Sequence, residues 1–128
     1  MSRILTDHKL NGLNESIEIQ VLDEPGQGGA CHDYLIQPMT LPGDHLEGAV
    51  NPCRIKFQNG PILESGVNGV SQEALLAVVI DRLRSFQAGP FSTKENAVAL
   101  THVETALLWL QKRTRDRMAR GVEGTNQK

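Results

Sequence analysis

The sequence predicts an α+β protein in which a small N-terminal antiparallel β-sheet is followed by a C-terminal antiparallel two-helix hairpin. Up to residue 70, glycine, proline and asparagine are frequent and apolar residues alternate with polar ones in short stretches, a pattern typical of strands joined by turns. Between residues 71 and 120 the only proline is Pro90, and apolar residues recur every three or four positions, as in amphipathic helices. We therefore expect a single domain over 1–128, with a β-rich part at 1–70, a helical hairpin at 71–120 and a flexible tail at 121–128.

Three strands are predicted first in the β-rich part. Residues 17–21 alternate between apolar and polar side chains, which favours a strand with one solvated face. Residues 30–38 are rich in β-forming side chains and end at a proline, and residues 53–58 alternate again before an Asn-Gly turn. After that turn, residues 62–66 are expected to return as an antiparallel strand.

Two long helices are predicted to pair in the hairpin. Ser71 is expected to cap the first helix, which ends before a Gly-Pro pair. Ser92 and Glu95 have the spacing of a capping box, so the second helix is expected to run from about Thr93 to Ala119. A short loop between two such helices makes them antiparallel neighbours. The predicted apolar stripe of the first helix consists of Leu76, Val79, Leu83 and Phe86.

Charge and composition exclude several classes of function. The formal net charge is −2, whereas proteins that bind nucleic acid indiscriminately are basic, so neither DNA nor RNA is an expected partner. No stretch approaches the ~20 apolar residues that a membrane-spanning helix needs, and the N-terminal residues lack the features of a secretion signal. We expect a cytoplasmic protein in which Cys31 and Cys53 are free thiols.

No catalytic or metal site is predicted. Cys31, His32 and Asp33 have the residue types of a nucleophilic triad, but neighbouring side chains on a strand point to opposite faces and cannot bond to one another as a triad. The spacing of the cysteines and histidines matches none of the usual zinc sites, and the sequence brings no pair of carboxylates together. We expect neither enzymatic activity nor a cofactor.

The end of the second predicted helix is strongly basic. Arg113, Arg117 and Arg120 are spaced four and three residues apart, which places them on one helical face, and Lys112 and Arg115 flank that face. Such a face suits an anion with several phosphates, because a guanidinium binds phosphate oxygens in a fork. The alternative is that these cations only complement the negative end of the helix dipole and solvate the tail.

Two residues at the predicted hairpin turn fit the capture of a nucleotide. An aromatic ring such as that of Phe86 can stack on a base, and an amide such as that of Asn96 can read the edge of the base. The alternative is that Phe86 is an ordinary core residue and Asn96 an ordinary exposed one. Together with guanidiniums for the phosphates, these groups would hold a ligand without any chemistry.

The predicted hairpin resembles one shared by phage anti-defence sponges of the anti-CBASS and Thoeris anti-defence families. The likeness rests on the Glu-Asn-Ala start at 95–97, the segment ALTHVETALLWL at 99–110 and the basic end that follows, and it covers about half of the chain. The N-terminal β part is more similar to the Thoeris branch, since the anti-CBASS members are essentially helical.

This resemblance implies a protein that sequesters cyclic nucleotide immune signals without cleaving them, and so inhibits Thoeris immunity, CBASS immunity or both in the host cytoplasm. The implied ligands are glycocyclic ADP-ribose, cyclic di- and trinucleotides, or both kinds. Members of the family are similar in assembling as hexamers that hold ligands between protomers, which would supply the partner surface that a lone hairpin lacks.

The resemblance also assigns residues to a first site. Phe86 and Asn96 match the stacking and polar residues that hold glycocyclic ADP-ribose at the hairpin turn. His32 and Arg54, in the β-rich part, are further candidates to reach the phosphates of that ligand.

A second site is assigned to the basic end. Arg113 and Arg117 match the positions where several chains of the family converge on a cyclic oligonucleotide, and Arg120 shares their helical face.

Two other functions stay open. The hairpin could be a protein-interaction or assembly module of a phage, with the basic end as its docking face, or the chain could bind nucleic acid, which the acidic balance disfavours.

Overall fold

The computed structural model describes residues 3–38 and 51–128. The chain forms two compact units, of which the first comprises Met1–Gly60 and Val67–Val70 and the second comprises Pro61–Gly66 and Ser71–Lys128. The α+β class predicted from the sequence is confirmed, because a four-stranded antiparallel sheet precedes a pair of long helices. In the described ranges, no helix has both the length and the apolar character needed to cross a membrane.

The described elements are short in the first unit and long in the second. In chain order they are β1 (Arg3–Leu5), α1 (Gly12–Glu15), β2 (Ile17–Val21), β3 (Asp33–Pro38), β4 (Cys53–Lys56), α2 (Ile62–Ser65), α3 (Gln72–Gln87) and α4 (Lys94–Ala119), with a 3-10 segment at Gln27–Gly29. The sheet order is β1-β2-β3-β4, and each neighbouring pair is antiparallel. The prediction for β2 is confirmed, whereas β1 and α1 were not predicted, since elements of three or four residues are too short for a hydrophobic period to be recognised.

The buried centre of the sheet lies at the end of β2. Val21 is 1% exposed and is paired with Arg3 on one side and Tyr34 on the other. The ring of Tyr34 packs edge to face against Phe57, with 5.7 Å between the ring centroids. The sheet therefore carries its own small apolar cluster.

The strand β3 starts at Asp33 and not at Ala30, the residue predicted. The carboxylate of Asp23 accepts hydrogen bonds from the backbone N–H groups of His32 and Asp33, at 2.9 and 3.2 Å. These two bonds hold the residues before β3 in a loop, so the pairing with β2 begins only at Tyr34.

Residues 62–66 do not form the antiparallel strand that the sequence analysis predicts, and most of them belong to the helix α2. The position beside β4 is occupied by Val70, whose N–H donates to the carbonyl oxygen of Lys56 at 2.8 Å. Gly69 is required for this close approach, because a Cβ atom at that position would lie only 2.5 Å from the carbonyl carbon of Phe57.

The caps of the two long helices follow the sequence prediction in one case and depart from it in the other. Ser71 caps α3 as predicted, with its Oγ accepting a hydrogen bond from Ala74 N–H at 3.1 Å. The cap of α4 is Thr93, whose Oγ1 accepts from Asn96 N–H at 3.0 Å. The predicted capping box of Ser92 and Glu95 is therefore wrong by one residue. The cap is Thr93, and Asn96 lies three residues after it, where a capping box would have a glutamate.

The hairpin is closed by side chains at its turn and along its length. Gln87 bonds twice to the backbone of Thr93: its Nε2 donates to the carbonyl oxygen and its Oε1 accepts from the N–H, both at 3.0 Å. Farther from the turn, Arg84 Nη2 lies 2.7 Å from Glu104 Oε2. These contacts pair the end of α3 with the beginning of α4, as an antiparallel arrangement requires.

Much of the apolar surface of the hairpin is uncovered within one chain. Ile80 is 3% exposed, whereas Val79, which was predicted for the apolar stripe, is 44% exposed. Other exposed apolar side chains on the two helices are Val78, Val98, Leu108, Trp109 and Met118. A surface of this kind is typical of proteins that associate with another chain.

Candidate anion-binding site at the end of the hairpin

A groove of about 670 Å³ lies beside the last turns of α4. It is lined by an indole ring, five cationic side chains, one carboxylate and an alanine. These residues are Trp109, Lys112, Arg113, Asp116, Arg117, Ala119, Arg120 and Lys128. The structure therefore brings together the three arginines that the sequence analysis placed on one helical face.

Arg113 provides an available positive charge in this groove. Its side chain is exposed and, within the described part of the chain, has neither a hydrogen-bond nor an ion-pair partner. The carboxylate of Asp116 is already neutralised, because its Oδ2 lies 2.7 Å from Lys112 Nζ. Trp109, one helical turn before Arg113, is 66% exposed. The groove thus offers a guanidinium and an aromatic ring side by side.

Arg117 is in a different state, since it is buried and its guanidinium is bound by the residues that follow α4. Nε lies 3.3 Å from Glu123 Oε2, and Nη2 donates to the carbonyl oxygens of Val122 and Thr125, each at 3.0 Å. Nη1 donates to the carbonyl oxygen of Gln127. Oxygen atoms of this chain therefore satisfy each nitrogen of Arg117.

Residues 121–128 follow α4 and accept hydrogen bonds from Arg117 and Arg120, and the flexibility predicted for them stays a prediction. Gly121 and Gly124 have φ values of 72° and 83°, and these left-handed conformations turn the chain back along α4. Gly124 is buried, and its carbonyl oxygen accepts a hydrogen bond from Leu63 N–H at 3.3 Å. At the end of the segment, Arg120 Nη2 donates to the carbonyl oxygen of Lys128.

Phe86 and Asn96 lie at the opposite end of the hairpin from the groove. Phe86 belongs to the last turn of α3 and Asn96 to the first turn of α4, and both are half-buried. The guanidinium carbon of Arg82 lies 4.9 Å from the centroid of the Phe86 ring, so a cation covers one face of that ring. The structure therefore places the two residues at the turn end of the hairpin, with an arginine beside Phe86.

Arg54, in the first unit, is paired with a carboxylate. Its Nε and Nη2 atoms donate to Asp33 Oδ1 and Oδ2 at 2.9 and 2.6 Å, a bidentate ion pair between β4 and β3. These hydrogen bonds hold the pKa of the Asp33 carboxyl below its usual range and raise the pKa of Arg54.

His32 lines a second cavity, of about 360 Å³, within the first unit. The cavity is also lined by Asp23, Lys56, Phe57 and Asn59, among others. The Nδ1 atom of His32 is buried and has no hydrogen-bond partner within the described residues. Over residues 3–38 and 51–128, no group of three or more His, Cys, Asp or Glu side chains is arranged to hold a metal ion.

Two features of the groove were missed by the sequence analysis. Trp109 was not assigned to a site, although its spacing of four residues from Arg113 places both on one side of the helix. The binding of Arg117 by backbone carbonyl groups has no side-chain signature, so no sequence pattern could have indicated it.

An antiparallel sheet combined with a long helical hairpin that ends in a basic groove defines a small α+β hairpin protein. A family described as "Acb2/Tad1, hairpin domain" matches residues 49–115, which is just over half of the chain, and the chain belongs to this family. The resemblance to phage anti-defence sponges is thereby confirmed. The match includes Arg54, Phe86, Asn96 and Arg113 and ends before Arg117.

A curated relative agrees with this assignment. "Thoeris anti-defense 1" of Bacillus phage SBSphiJ7 is 54% identical over 74 residues, which make up 58% of this chain and 52% of the relative. The chain thus spans about half the length of that relative. The name of the relative places it in the Thoeris branch.

Proposed function

We propose that this protein is a phage anti-defence sponge, which binds cyclic nucleotide immune signals and sequesters them without cleavage. The observation that carries the proposal is the groove in which the guanidinium of Arg113, unpaired among the described residues, lies beside the exposed ring of Trp109 on the hairpin that defines the family. By lowering the concentration of the free signal, the sponge inhibits Thoeris immunity, CBASS immunity or both in the host cytoplasm.

The chemistry of the groove suits a cyclic oligonucleotide. Phosphodiester oxygens accept charge-assisted hydrogen bonds from a guanidinium, and a nucleobase stacks on an indole ring. Because Asp116 is paired with Lys112, it does not repel the phosphates as a free carboxylate would. The local positive charge is thus available in a protein whose net charge is −2.

A hexamer is the assembly that we propose. The exposed apolar side chains of α3 and α4, Val78, Val98 and Leu108 among them, support burial against further copies of the chain. In a symmetric assembly, a cyclic ligand on an axis meets the same side chain from each copy, so several Arg113 side chains would surround one ligand.

A second site, for glycocyclic ADP-ribose, is proposed at the hairpin turn. Phe86 would stack on the base and Asn96 would read its edge, with His32 and Arg54 as candidates for the phosphates. Within their own units, two of the groups named here already make contacts, since Arg82 lies over the Phe86 ring and Arg54 is paired with Asp33. The ligand must therefore replace or join existing interactions at this site.

The test is binding of unmodified ligands to the whole chain. Calorimetry and native mass spectrometry with glycocyclic ADP-ribose, cyclic dinucleotides and cyclic trinucleotides measure affinity, the number of sites and the oligomeric state together. Arg113→Ala should abolish binding of the cyclic trinucleotide, whereas Arg115→Ala is the matched control, because Arg115 lines a different surface with Glu73 and Gln111.

The ligand recovered after heat denaturation of the complex distinguishes capture from turnover. Intact ligand supports a sponge, whereas recovery of cleaved product alone would show an enzyme and contradict the proposal. The absence of binding for each of the ligands would also contradict it.

One observation favours a second candidate function, a protein-interaction or assembly module of a phage. The exposed apolar surface of the hairpin could cover a helix of another protein, with the basic end contacting an acidic partner. In that case neutral substitutions of Arg113 and Lys112 would weaken association with the protein partner, and no cyclic nucleotide would bind.

A further inference from the structure

The segment that follows α4 places several oxygen atoms around a single guanidinium in the groove. The Nη2 of Arg117 donates to two carbonyl oxygens at 3.0 Å, and its Nη1 donates to a third. Its Nε lies 3.3 Å from the carboxylate of Glu123. A guanidinium has five N–H donors in a planar fork, and phosphate oxygens use the same donors. The acceptors on Arg117 thus occupy the positions that phosphate oxygens would need.

The same segment also reaches a second arginine of the groove. Arg120 Nη2 donates to the carbonyl oxygen of Lys128, and Lys128 itself lines the groove. Of the three arginines predicted to bind phosphates, Arg117 and Arg120 are therefore bound by residues of the segment, whereas Arg113 has no polar partner over residues 3–38 and 51–128. The cationic face is divided between a free and an occupied part.

The segment is held in this position by more than its contacts with arginine. The N–H of Val122 donates to the carbonyl oxygen of Arg117 at 3.0 Å, which closes the end of α4. At Gly124, the φ of 83° and the packing against Ile62 and Leu63 leave little room for a side chain, since a Cβ atom would lie 3.1 Å from each of them. Hydrogen bonding and packing thus fix the segment within the second unit.

We infer that residues 122–128 act as an intramolecular plug, which occupies the guanidiniums of Arg117 and Arg120 and must be displaced when a phosphodiester ligand binds the whole basic face. The inference rests on the proposed function of the groove. Because the plug belongs to the same chain, its effective concentration at the arginines is high. The apparent Kd for the ligand is then the intrinsic Kd divided by the fraction of molecules in which the groove is open.

Two substitutions within the plug weaken it and leave the arginines themselves unchanged. Glu123→Gln keeps the shape of the side chain but removes its charge from Arg117. Gly124→Ala introduces a Cβ atom at a left-handed position that has no room for it. The matched control is Gly28→Ala, since Gly28 has a φ of 73° but lies in the first unit with no atom near its Cβ position.

The ligand used is cyclic triadenylate, and calorimetry measures its affinity for variants of the 128-residue chain. The plug predicts that Glu123→Gln and Gly124→Ala bind about three- to tenfold more tightly than the wild type, whereas Gly28→Ala does not. Hydrogen exchange gives a second readout: ligand binding should speed the exchange of the amides of Val122 and Leu63, since displacement breaks their hydrogen bonds to the carbonyl oxygens of Arg117 and Gly124.

The outcomes separate this inference from the proposed function. If the wild type binds and both variants bind equally well or more weakly, with the amides protected as before, the plug is wrong and the sponge stands. If the wild type fails to bind cyclic triadenylate but the variants bind it, the plug is supported. If neither the wild type nor the variants bind cyclic triadenylate, the plug is overturned, and the proposed function is overturned with it when glycocyclic ADP-ribose and the cyclic dinucleotides also fail to bind.

Discussion

Arg113 and Arg117 lie one turn apart on the same face of α4, but Arg113 is exposed with no polar partner among the described residues, whereas Arg117 is buried with a partner for each nitrogen. Helical spacing makes the two residues equivalent, and the segment that follows the helix makes them different. Arg113 is therefore available to a ligand, whereas Arg117 also stabilises the folded chain.

The first prediction is that these two arginines affect stability unequally. Arg117→Ala removes the donor for three carbonyl groups and one carboxylate, and should lower the free energy of unfolding by about 1–3 kcal/mol. Arg113→Ala should change it by less than about 0.5 kcal/mol, because the exposed side chain makes no hydrogen bond or ion pair with the described residues. Urea denaturation of both variants measures the difference, and equal stability would contradict the structural role of Arg117.

The sequence predicts best where a pattern is repeated several times. Residues 17–21 and the two long helices are recovered because alternation or helical spacing continues over the whole element. Residues 62–66 are too few to show a period, and the place beside β4 goes to Val70 because Gly69 permits the approach. That choice depends on a contact between distant residues, which the local sequence does not record.

The candidate site shows the same limit. The common face of the three arginines follows from their spacing alone, and the structure places them in one groove. The occupation of Arg117 depends on carbonyl groups of Val122, Thr125 and Gln127, which are backbone atoms that every residue possesses. Side-chain patterns therefore predict which cations are present and not which of them are already bound.

The second prediction uses Trp109, the only tryptophan of the sequence, as a probe of the groove. A base that stacks on the exposed indole should quench its fluorescence, and Trp109→Ala should weaken binding of a cyclic trinucleotide by about 1–3 kcal/mol. Trp109→Phe should restore part of the affinity, since it keeps an aromatic face. Unchanged affinity in Trp109→Ala, with the oligomeric mass preserved, would exclude stacking on this residue.

The third prediction separates the two proposed ligand sites. Phe86→Ala should lose glycocyclic ADP-ribose and keep cyclic trinucleotides, because Phe86 and the groove are at opposite ends of the hairpin. Phe91→Ala is the matched control, since Phe91 lies in the turn between α3 and α4 and is 72% exposed. Calorimetry with both ligands tests the assignment, and a parallel loss of both in Phe86→Ala would show that the sites are not independent.

The fourth prediction concerns the ion pair of Asp33 and Arg54 and its dependence on pH. The pKa of Asp33 is lowered in the folded chain, chiefly by its hydrogen bonds from Arg54, so the pair stabilises the fold above the ordinary aspartate pKa of about 3.9. This contribution is lost as the pH falls through the lowered pKa, where the folded state must take up the proton.

Arg54→Ala should return the pKa of Asp33 towards its ordinary value, as measured by NMR titration of the carboxyl carbon. The stability of the variant should then differ from that of the wild type at neutral pH and converge with it in strong acid, because the protonated carboxyl no longer pairs with the guanidinium. A pKa of Asp33 that is the same with and without Arg54 would show that the pair has no such role.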